Sequence, residues 1–158
     1  MKKLMFLALV LPVLAFVASS CDDDDDTPQV EISFTYRNGV VAENSVYAVQ
    51  PDTLVIESIN VKAVREGHKA IATPPVNFWL DGVPVGTSFV APYSIAFPTE
   101  KLALGRHALD VSMGIAEEGY ALSTAVARVY INVVADEADI PSTGGGATNV
   151  QPVTYTLK

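Results

Sequence analysis

Hydrophobic and polar side chains alternate at every second position within the segment Val76–Met113, and this period constrains the fold more than any other feature. The alternating hydrophobic positions are Val76, Phe78, Leu80, Leu109, Val111 and Met113. A period of two is typical of a β-strand with one buried face. The segment also contains an Asp81-Gly82 turn signal and a strand opened by Gly105. It therefore predicts strands, with no helix, for the centre of the chain.

Composition agrees with an all-β class. The chain has 158 residues, which suits one domain of about 100 to 150 residues with appendages. Ten glycines and ten prolines favour turns and strands over helices. The sequence predicts a small β-sandwich.

The net charge of −8 is unevenly distributed. Five negative charges lie in Asp22–Asp26, whereas Val30–Val134 holds ten acidic and seven basic residues, a net charge of −3. Binding of nucleic acid requires clustered Lys and Arg, and the sequence has no basic patch. Nucleic acid is therefore not expected as a partner.

Residues 1–20 have the pattern of a secretory signal peptide. Lys2 and Lys3 precede an apolar run that ends at Val17, and this run is shorter than the roughly 20 residues of a membrane-spanning helix. The small residues before Cys21 resemble the cleavage box of bacterial lipoproteins, which implies that Cys21 is lipidated. The alternative is an ordinary signal peptide followed by a stray cysteine.

Residues 21–29 form the predicted tether, which is dominated by Asp22–Asp26. A run of like charges is usually a solvated segment. An acidic run directly after a lipidated cysteine resembles the export signal of surface-displayed lipoproteins in some Gram-negative bacteria. This resemblance implies an outer-membrane protein that faces the cell exterior, with a periplasm-facing location as the alternative. Weak Ca²⁺ binding is less favoured, because such a site needs ligands held in a fixed geometry.

The first half of the domain contains three further predicted strands. The first begins at Val30 and stops near Asn38-Gly39, and a short second strand spans Val46–Val49. In Thr53–Val64 the hydrophobic phase slips, since Leu54 and Ile56 have one parity while Ile59, Val61 and Ala63 have the other. A bulge near Glu57 and Ser58 would place both sets on one face.

The loop and strands that follow have simpler patterns. Arg65–Lys69 is a polar loop, and Pro74-Pro75 is expected to mark the start of the central segment. In Thr124–Val134, five hydrophobic residues share the parity that faces the core, and the opposite parity is more polar.

The order VNFWLDGVPVGTSFVAPYSIAF, LALGRHALDVSM and ALSTAVARVYINVV resembles a bacterial immunoglobulin-like or PKD-like module. The resemblance covers Val30–Val134 and implies an antiparallel β-sandwich of about seven strands. It implies no particular activity, because this architecture hosts many functions. Cys21 is the only cysteine, so the inter-sheet disulfide of some relatives is absent and burial must hold the core.

Two segments follow the sandwich. Residues 135–149 contain an acidic stretch, a proline and three consecutive glycines, a composition typical of a flexible linker. Residues 150–158 alternate again and predict a C-terminal β-segment. This segment can fold back on an edge of its own sandwich or pair with the edge of another protein.

The sequence offers little that could support catalysis. His68 lies in a polar loop, and His107 lies at a position where packing or capping is the ordinary role. Glu117-Glu118 is an acidic pair, but adjacent residues tend to point apart, whereas a glycosidase needs two carboxylates that face each other. No catalytic residue, metal site or cofactor is predicted, and the chain is not expected to be an enzyme.

Strand parity does predict one binding surface. If Phe78 and Leu80 face the core, Trp79 faces out, and the same argument turns Tyr130 outward. The predicted ligand-binding residues are Trp79, Asp110, Ser112 and Tyr130. Aromatic rings beside hydrogen-bonding groups suit sugars and protein partners. The alternative is that the C-terminal strand or a loop covers Trp79, which would then enlarge the core.

Two functional hypotheses follow. The first is a non-catalytic surface lipoprotein, held in the outer membrane by its lipid anchor, that captures a glycan or a surface protein. The second is a structural or adhesion subunit that assembles by strand pairing through its C-terminal segment.

Overall fold

The computed structural model describes residues 28–142 and 150–152. These residues form ten strands: β1 (Val30–Arg37), β2 (Val40–Ala42), β3 (Ser45–Val49), β4 (Thr53–Ala63), β5 (Ala70–Leu80), β6 (Val83–Ser88), β7 (Ile95–Pro98), β8 (Gly105–Glu117), β9 (Ser123–Val134) and β10 (Val150–Pro152). Two single-turn 3₁₀ helices span Thr99–Lys101 and Glu137–Asp139. Within the described ranges, no helix has the length and hydrophobicity needed to cross a membrane.

The strands form two sheets. The four-stranded sheet has the order β10-β1-β4-β7, and the six-stranded sheet has the order β2-β3-β9-β8-β5-β6. Neighbouring strands are antiparallel except for the parallel pair β3 and β9. This is an all-β, immunoglobulin-like sandwich, as the sequence predicted. The described strands outnumber the predicted seven partly because β2 has three residues, too few for alternation to show, and because β10 belongs to the C-terminal β-segment, which was predicted separately from the sandwich.

The predicted parity of the central strands is confirmed. All six alternating residues of β5 and β8 are at most 7% exposed, and the fully buried ring of Phe78 lies among them. In β9 the buried residues are Ala125, Ala127, Val129, Ile131 and Val133. The side chains of these strands pack against Ile32 and Phe34 of β1 and Leu54 and Ile56 of β4 to form one hydrophobic core.

The bulge predicted in β4 is present. Thr35 of β1 pairs with Ser58, and the next residue, Tyr36, pairs with Ile56, so Glu57 is the inserted residue. As a result Ile56 and Ile59 are both buried although they have opposite parity. The insertion reverses the inward-facing parity of the strand, which is the effect that the slipped hydrophobic pattern predicted.

The prediction that Pro74-Pro75 marks the start of a strand is wrong. β5 begins at Ala70 and continues through both prolines. Its pairing with β8 is interrupted between Thr73 and Asn77. Proline has no backbone N–H to donate, so the ladder is broken locally while the strand continues.

Asn38-Gly39 ends β1, as expected, and then carries the chain from one sheet to the other. Asn38 adopts a positive φ of 57°, and its side-chain amide donates to the carbonyl of Thr53 at 3.0 Å. A Cβ atom on Gly39 would lie 2.6 Å from Leu54 Cδ1. A side chain is therefore excluded where the crossover passes over the core.

The described part of the C-terminal segment folds back on its own domain. Val150–Pro152 forms β10 and pairs antiparallel with β1, with Val150 opposite Ser33. Within the predicted linker, Glu137–Asp139 is a 3₁₀ turn. The signal peptide, Cys21, the acidic tether, residues 143–149 of the linker and residues 153–158 lie outside the described residues, so these predictions stay predictions.

The turn between β5 and β6 is held by His107 of β8. Asp81, with φ of 51°, accepts a hydrogen bond from the backbone N–H of Ala108 at 2.8 Å, and its other carboxylate oxygen lies 2.6 Å from His107 Nδ1. The second ring nitrogen of His107 lies 2.8 Å from the carbonyl oxygen of Ala103. Two acceptors face the ring, and only the protonated imidazole can donate to both. His107 thus has a structural role, as the sequence suggested.

This arrangement shifts both pKa values. Partial burial opposes the charge of His107, but the hydrogen bonds to the Ala103 carbonyl and the Asp81 carboxylate outweigh burial and raise the pKa of His107. The hydrogen bond from His107, followed by the one from Ala108, lowers the pKa of Asp81. Both shifts favour the charged pair.

The first prediction concerns the core. Replacing the fully buried Phe78 with Ala should lower the free energy of unfolding by about 3–5 kcal/mol, because the variant loses buried surface and leaves a cavity. Phe89 is 67% exposed, so Phe89→Ala is the matched control and should change stability by at most about 0.5 kcal/mol. Urea unfolding followed by Trp79 fluorescence measures both variants. Equal losses would contradict this core.

The second prediction concerns pH. A raised folded-state pKa means that the stabilisation by His107 is complete below its unfolded pKa of about 6.5 and is lost as the pH rises through the folded value. The stabilisation by Asp81 is present above its unfolded pKa of about 3.9 and is lost as the pH falls through the lowered folded value. The pair should therefore contribute most between these two unfolded values.

Melting temperatures of the wild type and His107→Gln should accordingly differ most near about pH 5.5 and converge towards about pH 9. Lys101→Gln introduces the same side chain at an exposed position and serves as the control. A difference between wild type and His107→Gln that stays constant over this range would show that the charge of His107 does not stabilise the turn.

Candidate functional site: the outer face of the six-stranded sheet

The structure places Trp79 and Asp110 next to each other on the outer face of the six-stranded sheet. Trp79 of β5 pairs with Asp110 of β8, and Asp110 pairs with Arg128 of β9. The flanking residues of β5, Phe78 and Leu80, are buried in the core, so the pleat turns Trp79 to the opposite face. These three side chains form a row across three adjacent strands, which we call the Trp79 row.

Asp110 and Arg128 form a bidentate ion pair in this row. Arg128 Nε lies 2.7 Å from Asp110 Oδ1, and Arg128 Nη2 lies 2.9 Å from Asp110 Oδ2. The hydrogen bond and the charge of Asp110 raise the pKa of Arg128 further above its already high value. The pair is open to solvent, so its effect on stability is small, but two parallel hydrogen bonds fix the orientation of both groups.

Tyr130 lies one step further along β9 and has a partner of its own. It pairs with Ala108 of β8, whereas Trp79 pairs with Asp110 of the same strand. Strand β8 therefore lies between Tyr130 and Trp79, which are also offset by two residues along the strand direction. The guanidinium carbon of Arg106 lies 3.7 Å from the centre of the Tyr130 ring. One face of this ring is therefore covered by a cation–π contact, and the two aromatic rings do not form a continuous platform.

Ser112 lies on the other side of the Trp79 row. It pairs with Asn77 of β5 and Val126 of β9, and Gly114 and Ala116 follow it on the same parity of β8. The outer face of β8 thus carries only small side chains beyond Asp110. The neighbouring strands have larger ones, including Ile71, which is 60% exposed. The result is a shallow groove along β8, which we call the β8 groove.

The backbone of Gly114 has no room for a side chain. A Cβ atom there would collide with the hydroxyl oxygen of Thr73 and would lie 3.6 Å from Leu122 Cδ1. The Thr73 hydroxyl therefore occupies the space over Gly114, with Leu122 beside it, so these side chains fill the groove at this position; Leu122 is 70% exposed.

The alternative prediction for Trp79 was that the C-terminal strand or a loop covers it, and the structure tests the part that concerns the strand. β10 lies in the four-stranded sheet, at the edge formed by β1, so its described residues do not cover Trp79. Trp79 is half-buried. It therefore remains partly accessible on the same face of the sheet as the ion pair.

Glu117 and Glu118 point apart, as expected for adjacent residues. Glu117 ends β8 with a fully buried side chain, while Glu118 is exposed. Glu117 lies 3.4 Å from His68 Nδ1 and 3.9 Å from Arg65 Nη1, and the Arg65 guanidinium stacks on Tyr120 at 4.3 Å. These contacts join the β4–β5 and β8–β9 loops, and the two carboxylates do not face each other across a cleft.

Arg106 and Arg128 were not among the predicted ligand-binding residues. The outward parity of β9 that was predicted from the sequence does include Arg128. Its pairing with Asp110, and that of Arg106 with Tyr130, depends on how β8 and β9 align. Among the described residues, no group of three or more His, Cys, Asp or Glu side chains is arranged to hold a metal ion.

Comparison with known proteins adds little to this geometry. No protein-family model matches the chain, and no curated protein matches it. Among solved structures, the fibronectin(III)-like modules of Clostridium thermocellum CbhA are similar, with 22% sequence identity over 65% of this chain and 100% of that chain. The TM-score is 0.34. The immunoglobulin-like assignment follows from the strand order of the two sheets.

Proposed function

We propose that this protein is a non-catalytic, lipid-anchored surface protein that captures an extended glycan on the outer face of its six-stranded sheet. The observation that carries the proposal is the Trp79 row, in which an aromatic ring adjoins a fixed carboxylate–guanidinium pair across β5, β8 and β9. A surface of this kind binds and orients a ligand but contains no activated nucleophile.

The chemistry of the row suits a sugar. The apolar C–H face of a pyranose ring packs on an aromatic ring, and its hydroxyl groups both donate and accept hydrogen bonds. Arg128 uses Nε and one Nη2 hydrogen to bind Asp110, so further N–H groups of its guanidinium remain to donate. Each Asp110 oxygen also keeps a lone pair. The ion pair is already oriented, which lowers the entropic cost of binding.

The β8 groove suits a linear chain. The groove runs from the Trp79 row past Ser112 as far as Gly114, where the side chains of Thr73 and Leu122 fill it. A short run of sugar units of a linear glycan could lie along it with one unit on Trp79. A protein loop is the second ligand class that this surface could accept.

Attachment to the membrane completes the proposal. Eight residues separate Cys21 from the start of β1 at Val30, a span of at most about 30 Å when extended. Lipid chains at Cys21 would hold the domain at the outer membrane, because each buried CH₂ contributes about 0.8 kcal/mol. The acidic tether supports export to the cell exterior.

Assembly by strand donation is less favoured as the function. β10 pairs with β1 of its own chain, so donation to another molecule would first require that this pairing be broken. The capture hypothesis leaves β10 in place and uses a different sheet.

The third prediction tests capture. The full-length protein in detergent micelles should be retarded in native gels that contain its polysaccharide, drawn from a panel of soluble plant and microbial glycans. Trp79→Ala should lower the affinity by about tenfold or more, whereas Trp79→Phe should retain part of it, because stacking needs only an aromatic ring. Phe89→Ala, which removes an exposed ring elsewhere, is the control. If no polysaccharide in the panel is bound, or if Trp79→Ala binds like the wild type, glycan capture on this face is wrong.

The fourth prediction tests anchoring and orientation. Cys21→Ser should release the protein from the membrane fraction, because the thiol that carries the lipid is lost. In intact cells the wild-type domain should be degraded by added protease. Degradation only after the outer membrane is broken would place the domain on the periplasmic side, and a membrane-bound Cys21→Ser protein would exclude lipidation as the anchor.

A further inference from the structure

A second concave surface lies at the edge of the six-stranded sheet, away from the Trp79 row. β2, β3, the turn between β3 and β4 and the 3₁₀ turn after β9 border a solvent-open cleft of about 460 Å³, which we call the β2–β3 cleft. Its main lining residues are Val40, Tyr47, Val49, Asp52, Glu137 and Ile140. A volume of a few hundred Å³ is in the range of small-ligand sites.

The lining of the cleft has a definite chemical character. Val40, Val49 and Ile140 supply aliphatic surface, and Tyr47 supplies an aromatic ring. Asp52 and Glu137, which are both exposed, supply carboxylates. Among the described residues that line the cleft, none is a lysine or an arginine. The cleft therefore combines negative charge with an apolar wall, and it complements a positive charge on an aliphatic stem.

The wall that carries Asp52 is held in place. The Asp52 N–H donates to the Val49 carbonyl at 2.9 Å, and the Asp52 carbonyl accepts from the Thr99 backbone N–H at 3.0 Å. Thr99 is fully buried, and Gln50 Nε2 donates to its carbonyl at 3.0 Å. Substituting the Asp52 side chain would leave these backbone contacts intact.

The opposite wall is a closed turn. The Ile140 N–H donates to the Glu137 carbonyl at 3.1 Å, which fixes the 3₁₀ turn that carries both residues. The side-chain amide of Asn38, another lining residue, is fixed by the hydrogen bond that it donates to the Thr53 carbonyl. Backbone groups that are fixed in this way lower the ordering cost of binding.

The cleft also lies at the end of the sandwich opposite the start of the domain. β1 runs from Val30, beside Ala63, to Arg37, beside Val55, and the cleft residues Asn38 and Asp52 adjoin this far end. Eight residues of strand span about 27 Å. In a protein tethered before Val30, the cleft would face away from the membrane; only this detail rests on the proposed function.

We propose that the β2–β3 cleft binds a lysine side chain of a peptide or protein. The ammonium group lies by Asp52, Glu137 and the face of Tyr47, and the methylene stem packs on Val40, Val49 and Ile140. This site is separate from the Trp79 row, and it gives the protein a second, cationic ligand class.

The test follows methyl NMR signals of Val40, Val49 and Ile140 in the full-length protein in micelles. The probe is a blocked Gly-Lys-Gly peptide, compared with the same peptide containing norleucine and with the neutral sugar cellotetraose. The lysine peptide should shift these methyl signals, and added salt should weaken binding, because part of the attraction is between charges. The norleucine peptide should bind about tenfold more weakly, since it lacks the ammonium group.

Substitutions assign the contacts. The double variant Asp52→Asn/Glu137→Gln should weaken lysine-peptide binding about tenfold, Tyr47→Leu should weaken it, and Tyr47→Phe should retain it. Glu66→Gln, an exposed carboxylate at the other end of the sandwich, is the control, and unchanged methyl signals of Leu109 and Val111 report an intact core. Trp79→Ala should leave lysine binding unchanged, which separates this site from glycan capture.

Three outcomes would overturn the proposal: equal binding of the lysine and norleucine peptides, unchanged affinity in the double variant, or methyl shifts caused by cellotetraose and not by the lysine peptide.

Discussion

The burial of inward-facing side chains between the two sheets is the constraint on which the structure depends. Cys21 is the only cysteine, so no disulfide can join the sheets, and the core must be held by hydrophobic contact. Phe78, Leu109 and Val129 lie in adjacent strands of the six-stranded sheet and pack against Phe34 and Leu54 of the other sheet. Loss of one such side chain lowers the stability of the fold, because protein interiors are close-packed.

The same pleat that builds the core also builds the surface. Each residue that faces inward in β5, β8 or β9 places its chain neighbours on the outer face. The burial of Phe78 and Leu109 therefore positions Trp79 and Asp110 on that face. The Asp110–Arg128 pair contributes little to stability because it is solvated. Its two parallel hydrogen bonds instead fix the orientation and spacing of both groups on the outer face.

The fold also places the two proposed binding surfaces in different regions of the domain. The chain enters the domain beside Val64 at one end, whereas the β2–β3 cleft lies at the other end and the Trp79 row lies on a broad face between them. A ligand on one surface would not obstruct the other. This arrangement suits a protein that is tethered by its N-terminus and meets its ligands elsewhere, because neither surface lies at the tether.

Local periodicity was sufficient to predict much of this protein. A period of two identified the strands and the inward residues of β5, β8 and β9, and the phase slip around Glu57 located the bulge, because both signals are carried by neighbours in the chain. The outward direction of Trp79 and Tyr130 followed from the same alternation. Contacts between distant segments were not accessible in this way. Three such features depend on strand order and register: the contact of Arg106 with Tyr130, the path of β5 through Pro74-Pro75, and the cleft lined by Tyr47, Asp52 and Glu137. Strand order and register are set by the packing of the whole sandwich and leave no periodic pattern in the sequence.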